Sequence, residues 1–291
     1  MSATRLASSC AQLAAPDFDL ALTLNSGQVF HWRAERGGFV GAIGERAVFV
    51  ELRRNELQVT PADAAPLVRR YFALDHSLDE IRGSLPLNDT ALARAATACA
   101  GLRIIRQPLW ECTATFITSA MKQVAHIRQI SEKLRARYGR TARVAGVEVG
   151  IYPAPEAIAA LTEIDLRACG LGFRSAKLLA TACRFAAGEI NETALRGLDR
   201  ARAEAMLRTL PGVGPKVANC VLLFALGHLE AFPIDVWIER VLRERYFRGR
   251  RRVTAARLRA FAQSNFGPYG GYAQQYLFHH ARTRCRRDEQ D

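Results

Sequence analysis

Hydrophobic and polar positions change their spacing along the chain near Pro61. Between Phe18 and Thr60, short runs of β-branched and aromatic residues are separated by Gly- and Asn-containing breaks, which is typical of an antiparallel meander. The predicted strands cover residues 21–24, 28–33, 37–43, 47–52 and 56–59. From Pro61 onward, Ala-rich segments with leucines at helical spacing predict helices through most of the remaining chain. The pattern therefore predicts an α+β protein.

Charge gives the first indication of a partner. The 291-residue chain has a formal net charge of +13 at pH 7 and a sequence pI near 10.0. A folded protein this basic usually binds a polyanion, and nucleic acid is the commonest one. The alternative is a merely soluble basic surface. Arginine supplies nearly all of the positive charge, because lysine occurs only at 122, 133, 177 and 216.

Cysteine usage and the distribution of apolar residues argue against several other classes. The seven cysteines are odd in number and scattered without a Cys-x-x-Cys pair. We therefore expect no disulfide framework, no metal site and no cofactor. No apolar run reaches the length that crosses a membrane, and the first residues lack the apolar core of a secretory signal. These features predict a soluble cytoplasmic protein without membrane contact.

The stretch 203–228 carries the most chemical information. Apolar residues at helical spacing lead into the turn 211–214, which has two glycines; Pro215 then stands at a favourable first position of a second helix, and Gly227 is a natural stop. A helix, a tight Gly-x-Gly turn and a second helix form a hairpin whose exposed backbone amides bind a phosphate without any side chain. The alternative is a plain connection between helices. The residues that we expect to contact DNA in this turn are Gly212, Val213 and Gly214.

Two charged residues near the hairpin are candidates for catalysis. Lys216 stands in the first turn of the second helix, where a cation opposes the helix dipole and, when partly buried, favours its uncharged, nucleophilic form. The alternative is an exposed lysine that reaches for the phosphate. Asp235, nineteen residues further on, opens another amphipathic helix and is predicted to be its N-cap. A capping carboxylate that faces a cleft could also stabilise positive charge on a sugar or accept a proton from an attacking amine.

Helical spacing also predicts a pocket. Cys220 lies four residues after Lys216 and therefore on the same helix face, and Gln274 and Phe278 form a second pair of this kind. An amide beside an aromatic ring can read a nucleobase, through hydrogen bonds to the edge of the base and stacking on its face. The alternative places Phe278 and Cys220 in the hydrophobic core.

Together, the hairpin, Lys216 and the Pro-Ile-Asp-Val turn at 233–236 resemble the helix-hairpin-helix glycosylase superfamily. Five further stretches resemble the 8-oxoguanine DNA glycosylase family and follow its order over almost the whole chain. They lie at 25–33, 71–75, 103–108, 169–174 and 266–278. The resemblance implies an N-terminal antiparallel β domain with trailing helices at 1–105, packed on a helical helix-hairpin-helix domain at 106–291. The active site would lie in the cleft between them.

The resemblance also implies an activity: a bifunctional DNA glycosylase and AP lyase of base excision repair that removes 8-oxoguanine, or a related oxidised purine, from duplex DNA. It implies a monomer, associated with the nucleoid if the source is bacterial. Lys216 would attack C1′ of an extruded nucleotide and form a Schiff base that permits β-elimination, while Asp235 stabilises the transition state. In the implied base pocket, the carbonyl of Gly27 accepts a hydrogen bond from N7–H, Gln274 and Phe278 read the base, and Cys220 covers its other face.

Two departures from the family's pattern concern the base opposite the lesion. The family usually has consecutive asparagines where this chain has 119–123, so Met121 stands where a side chain fills the gap left by the flipped base. His126 stands where the family has an arginine that helps to read the orphaned cytosine, although Arg174 keeps its place. We therefore expect the preference for cytosine to be relaxed, or to depend on Gln123 and Arg174.

A third departure is Trp237, which replaces a histidine that touches phosphate in the family and leaves the substrate range open. Phe173, before Arg174, is also expected on DNA. One alternative function is a monofunctional alkylated-base glycosylase, which has no lysine nucleophile. Iron–sulfur glycosylases need four closely spaced C-terminal cysteines, and only Cys285 lies in that region. The remaining alternative is a non-catalytic helix-hairpin-helix DNA-binding protein, in which Lys216 or Asp235 would have been lost.

Overall fold

The N-terminal part of the molecule is an antiparallel sheet. A computed structural model describes residues 9–119, 123–250 and 252–288. Within them, five strands pair in the order β1-β5-β4-β3-β2. The strands are β1 (Ala11–Ala14), β2 (Arg33–Glu35), β3 (Gly38–Ile43), β4 (Arg46–Arg53) and β5 (Glu56–Thr60). Alternate residues of β4 and β5, such as Val48 and Leu57, are buried on one face.

The sequence prediction of the sheet is confirmed for β3, β4 and β5 and is wrong at its start. Residues 21–24 lie in the helix α1 (Leu20–Asn25), because Asp19 caps this segment by accepting a hydrogen bond from the Leu22 N–H at 2.8 Å. Its buried residues, Leu20, Thr23 and Leu24, follow helical spacing. Of the predicted strand at 28–33, only the last residue belongs to a strand, and β1 was not predicted.

A second, two-stranded sheet interrupts the helical part. It consists of β6 (Thr141–Val144) and β7 (Val147–Gly150), which pair antiparallel in a region predicted to be helical. Val144 and Val149 pack with Val40 and Ala42 of β3, so the hairpin covers part of the first sheet and joins it to the helical part.

Helices make up most of the chain after the first sheet, as predicted. They are α2 (Ala65–Tyr71), α3 (Leu78–Ser84), α4 (Thr90–Ala98), α5 (Leu109–Thr118), α6 (Val124–Tyr138), α7 (Pro155–Ala159), α8 (Glu163–Ala168), α9 (Ser175–Ala186), α10 (Glu192–Arg196), α11 (Arg200–Leu207), α12 (Pro215–Val221), α13 (Val236–Tyr246), α14 (Ala255–Asn265) and α15 (Gly270–Asp288). Helix α12 continues as a π-helical turn over Leu222–Leu226 and stops at Gly227, whose φ is +84°.

Apolar side chains form two large cores. One lies under the first sheet and takes in residues from Ala15 to Phe72, together with Ile105. The other runs from Leu78 to Leu277 and is built by the helices. Helices α3 and α4 therefore pack with the helical core, and the division at residue 105 stays a prediction.

A buried charged cluster lies where the sheet meets the helices. Glu111 of α5 contacts the guanidinium of Arg135 on α6, and its carboxylate lies 3.3 Å from His31 Nδ1. Arg135 also donates to the Gly150 carbonyl at 2.9 Å, and His31 Nε2 lies 2.8 Å from the Ala42 carbonyl. Burial raises the pKa of the Glu111 carboxyl; burial and the charge of Arg135 lower the pKa of His31, so the imidazole is neutral. Each charged side chain here has a partner.

Candidate active site

The helix-hairpin-helix turn is held firmly from one side. The turn at 211–214 joins α11 to α12, and Thr181 of α9 donates a hydrogen bond to the Pro211 carbonyl at 2.8 Å. The Val213 side chain is buried, and its N–H donates to the Leu210 carbonyl at 3.1 Å. The N–H groups of Gly212 and Gly214 donate to no residue that the structure describes. These two amides, rather than that of Val213, are available for a phosphate.

The two glycines of the turn differ in what requires them. Gly212 has a φ of +85°, and a Cβ there would lie 3.0 Å from the Cβ of Lys177 and 3.1 Å from Ile117 Cγ2. The fold itself therefore demands glycine at this position. Gly214 has a φ of −87°, and a Cβ there would meet no atom within 4 Å. Only a partner that approaches the backbone would exclude a side chain at Gly214.

The Lys216 side chain lies in a recess formed with α5. Its Nζ donates to Ser119 Oγ at 2.9 Å and lies 5.0 Å from the centre of the Phe116 ring, which in turn stacks on Phe224 at 5.4 Å. Cys220, one turn along α12, is buried, and the charge of Lys216 lowers the pKa of its thiol against the larger effect of burial. Burial raises the pKa of the Cys220 thiol to about 11, so it is a thiol at neutral pH. The Lys216 residue is half-buried, and its amine contacts Ser119 and the Phe116 ring.

Asp235 occupies the N-cap of α13, as predicted. Its Oδ1 accepts a hydrogen bond from the Ile238 N–H at 2.9 Å. Burial raises the pKa of the Asp235 carboxyl, an effect that the hydrogen bond to Ile238 and the charge of Lys216 oppose. The carboxylate therefore lies within the electrostatic field of the Lys216 amine, in a partly dehydrated site. The sequence placed these two groups nineteen residues apart, and the fold brings them to one site.

The candidate base-reading residues come together between α15 and the turn after α1. Gly27 has a φ of +93°, and a Cβ there would lie 3.0 Å from Phe278 Cε1. Two side chains of α15 hold this turn: Gln275 donates to the Ser26 carbonyl at 3.0 Å, and Arg282 donates to the Asn25 carbonyl at 2.7 Å. The backbone of Gly27 is therefore fixed against the face of α15 that carries Phe278.

Gln274 is the most informative side chain of this recess. It is only 4% exposed, and its Oε1 has no hydrogen-bond partner in the part of the chain that the structure describes. A buried carbonyl oxygen without a donor costs roughly 1–3 kcal/mol, so such groups mark places where a ligand or water completes the bonding. The amide of Gln274 is thus poised to accept a hydrogen bond from a bound group.

The remaining DNA-contact candidates differ in how far the structure places them. Phe173 is 62% exposed, and the buried Arg174 guanidinium lies 4.3 Å from the centre of its ring. His126 is exposed in the first turn of α6. Trp237 is half-buried, with the Arg240 guanidinium 5.6 Å from its ring. Met121 lies outside the described residues.

Sequence reasoning missed three residues of this region. Ser119 and Phe116 contact the Lys216 amine, but no local signal marks them, because they are about one hundred residues away along the chain. Val236, directly after Asp235, is 77% exposed. An apolar residue at the first position of a helix on the solvent side is a signal that could have drawn attention to it.

Two further features of the described residues bear on alternatives. Within 9–119, 123–250 and 252–288, no three His, Cys, Asp or Glu side chains are grouped so as to hold a metal ion. Across the same ranges, no helix is long and apolar enough to span a membrane.

The fold and the site define a class of protein: a base-excision repair protein of the helix-hairpin-helix type. Residues 114–264 match the HhH-GPD superfamily of base excision DNA repair proteins. Residues 11–113 match the 8-oxoguanine DNA glycosylase N-terminal domain. The chain belongs to the 8-oxoguanine DNA glycosylase family of this superfamily, which confirms the resemblance and the predicted α+β fold.

Relatives along almost the whole chain agree with this assignment. The probable N-glycosylase/DNA lyase of Methanothermobacter thermautotrophicus is 30% identical over 91% of this chain and 94% of its own length. The structure of MBOgg1 in complex with a low-affinity DNA ligand is 32% identical, with a TM-score of 0.89 over 95% of this chain and 96% of that one. The 8-oxoguanine glycosylase/lyase of Clostridium acetobutylicum, bound to DNA with cytosine opposite 8-oxoG, is 27% identical, with a TM-score of 0.87 over 94% and 98%.

Proposed function

We propose that this protein is a bifunctional DNA glycosylase and AP lyase that excises 8-oxoguanine, or a related oxidised purine, from duplex DNA. The observation that carries the proposal is the placement of the Lys216 amine, half-buried beside Ser119 and Phe116 and within the field of Asp235. The relatives named N-glycosylase/DNA lyase support the same activity. The protein acts as a monomer without a cofactor, on the nucleoid if the source is bacterial.

Recognition begins when the damaged nucleotide leaves the duplex, at a cost of roughly a few kcal/mol. The base stacks on Phe278, and the unpaired Oε1 of Gln274 accepts a hydrogen bond from an N–H on its edge. The Gly27 carbonyl accepts a bond from N7–H of the oxidised purine. Normal guanine has a lone pair at N7, which that carbonyl repels. Cys220, a neutral thiol, lies near the opposite side of the base.

Excision follows from the position of the amine. The uncharged Nζ of Lys216 forms a bond to C1′ while the bond from C1′ to the base breaks, and the base leaves with the electron pair. The ionised Asp235 stabilises the positive charge that develops on the sugar, and it accepts the proton that the attacking nitrogen loses. The C1′–O4′ bond then breaks as the nitrogen lone pair forms a double bond to C1′, O4′ takes up the proton that Asp235 accepted, and a Schiff base results. Removal of a proton from C2′ breaks the C3′–O bond and releases the 3′ phosphate.

Around the site, the amides of Gly212 and Gly214 bind a backbone phosphate, whereas Val213 supports the turn from the core. Phe173, Arg174 and His126 lie on the DNA side. Met121 stands at the sequence position where the family has an asparagine that fills the gap left by the extruded base. Because Met121 cannot form the hydrogen bonds of an asparagine, the preference for cytosine opposite the lesion is relaxed.

One assay tests the activity and separates it from the alternatives. The protein is incubated with a duplex that contains 8-oxoguanine, with and without borohydride, and run on a denaturing gel. We expect strand cleavage without borohydride and a covalent protein–DNA band with it, and neither for Lys216→Gln. Base release without a covalent band would indicate a monofunctional glycosylase. Binding without base release would indicate a non-catalytic DNA-binding protein.

A further inference from the structure

A groove is lined in part by residues that are close in sequence to Asp235 and Phe278. It has a volume of about 210 Å³ and lies between α4, α13 and α15. One wall of the groove contains Trp237, which is two residues after Asp235. Another wall contains Leu277 and Ala281, which lie just before and three residues after Phe278 on α15. Two walls of the groove therefore start within two residues of candidate active-site residues, and the groove continues along α13 to Arg245.

The groove is lined by an excess of positive charge. Arg94 of α4, Arg240 and Arg245 of α13 and Arg284 of α15 line it, opposed by the carboxylate of Glu244. We call the groove that these four side chains line the arginine groove. None of them forms an ion pair or donates a hydrogen bond to a residue in the described ranges, although Arg240 stacks on Trp237.

Three arginines outside the groove have carboxylate partners. Arg243, on α13 itself, pairs with Glu239 at 2.7 Å and donates to the Val253 carbonyl at 2.9 Å. Arg167 and Arg196 pair with a glutamate one turn away on their own helices. These three arginines each have a carboxylate partner, whereas none of the four that line the groove has one among the described residues.

The unpaired guanidiniums also lie close to one another. His280 sits on the wall between them, and the charges of Arg284, Arg245 and Arg94 add to burial in lowering the pKa of its imidazole. Guanidiniums on three different helices therefore surround one small volume. Like charges at such a place repel each other unless an anion lies between them.

The size of the groove limits what that anion is. Pockets for small organic ligands measure roughly 300–1,000 Å³, and this open groove is smaller. It suits a phosphodiester that passes along it better than a whole nucleotide. Arginine's forked donors match phosphate oxygens, and Trp237 offers an apolar face to a sugar. At about 1.5 Å per helical residue, Arg240 and Arg245 lie about 7.5 and 15 Å beyond Asp235 along α13.

We propose that the arginine groove binds a backbone phosphate of the damaged strand, within a few nucleotides of the extruded one. This phosphate is distinct from the one at the Gly212–Gly214 turn, and the two contacts hold the strand on both sides of the lesion. The proposal rests on the proposed function, because it needs the lesion to lie at Lys216 and Asp235.

The test compares Arg245→Gln with Arg245→Lys and with the control Arg69→Gln. Arg69 is also an exposed helical arginine whose side chain forms no hydrogen bond or ion pair in the described ranges, but it lies on α2, which packs on the first sheet. Affinity for a duplex with an uncleavable abasic-site analogue is measured between roughly 50 and 200 mM salt. We expect Arg245→Gln to bind about tenfold more weakly and to lower the salt slope by about 0.9, the value for one phosphate. Arg245→Lys and Arg69→Gln keep the slope.

Two further measurements locate the contact. In the first, the phosphates of the duplex are replaced one at a time by neutral methylphosphonates. Replacement at one position beside the lesion should weaken DNA binding by the wild type and leave binding by Arg245→Gln unchanged. Equal salt slopes for Arg245→Gln and Arg69→Gln would overturn the proposal. The proposal would also be overturned if inorganic phosphate bound at Arg245 while Arg245→Gln kept the wild-type salt slope for the duplex. The groove would then bind a free anion and not the DNA backbone. If the wild type gives no borohydride adduct, the proposed function fails; if it gives the adduct and the slopes are equal, only the groove assignment fails.

Discussion

Two buried polar regions of this protein differ in whether their hydrogen-bonding groups have partners. In the cluster of Glu111, Arg135 and His31, each charged group meets a partner. In the candidate active site, Gln274 keeps a buried oxygen without a partner among the described residues, and Lys216 donates a hydrogen bond to a neutral hydroxyl. The first region joins the sheet to the helices, and the second lies open to a ligand. In these two regions, the paired charges of the cluster stabilise the fold, whereas the incomplete bonding of Gln274 leaves an acceptor for a ligand.

The largest effect is expected for Asp235→Asn, which should lower excision without loss of the helix cap. Asparagine is as good an N-cap as aspartate, so α13 is retained. Loss of a group that handles protons and charge in the transition state should lower excision by about 10²–10⁴-fold, measured in single-turnover assays, with DNA binding kept. Wild-type turnover would reduce Asp235 to a cap.

The same substitution should raise stability at neutral pH. Burial lifts the pKa of Asp235 in the folded state above the ordinary value of about 3.9. The folded protein therefore holds this proton more tightly than the unfolded chain, and stability is lost as pH rises through that range. Asp235→Asn removes this loss, so its Tm should exceed that of the wild type at pH 7, and the difference should shrink below pH 4. A lower Tm at pH 7 would contradict this.

The next largest effect is expected in the satisfied cluster. Glu111→Leu leaves the Arg135 guanidinium buried without its carboxylate, which should cost about 3–5 kcal/mol in the free energy of unfolding. The control is Glu163→Gln, which breaks the exposed pair with Arg167 and should cost at most about 0.5 kcal/mol. Urea denaturation measures both. Equal losses would show that burial of the cluster does not matter to stability.

Two neighbouring glutamines on α15 allow satisfied and unsatisfied hydrogen-bonding groups to be compared one residue at a time. Gln274→Leu removes an oxygen that has no partner in the described part of the chain, so stability should be unchanged or higher. Excision of 8-oxoguanine should fall about 10–100-fold, or roughly 1–3 kcal/mol. Gln275→Leu removes the donor to the buried Ser26 carbonyl and should cost about 1–3 kcal/mol of stability. Thermal unfolding and excision rates are measured on both. The interpretation fails if Gln274→Leu is the less stable variant.

The smallest effects separate the two glycines of the hairpin. Gly212→Ala should destabilise the protein by more than about 1 kcal/mol, because alanine is strained at positive φ and its Cβ meets Lys177 and Ile117. Gly214→Ser adds a Cβ in open space and a good N-cap residue, so stability should be kept. DNA affinity should nevertheless fall for Gly214→Ser. Unchanged affinity would remove the hairpin turn from the DNA interface.

Local sequence signals predicted much of the fold and of the site. The hairpin, the cap at Asp235 and the helix-face pairs depend on residues a few positions apart, where spacing and turn chemistry decide the structure. The strand prediction at 21–24 failed because four apolar and β-branched residues suit a strand or a helix, and the cap at Asp19 decided between them. Ser119 and the fixed turn at Gly27 could not be predicted, since both depend on contacts between distant parts of the chain.

The proposed mechanism requires that the Lys216 amine attacks the sugar, and mass spectrometry can identify the amine that does so. After reaction with the 8-oxoguanine duplex and borohydride, the protein is digested and the lysine that carries the reduced sugar is mapped. We predict that Lys216 carries it. Lys177 provides an internal control, because its stem packs beside Gly212 in the same hairpin region. An adduct on Lys177 or on the chain's amino terminus, with Lys216 unmodified, would contradict the account.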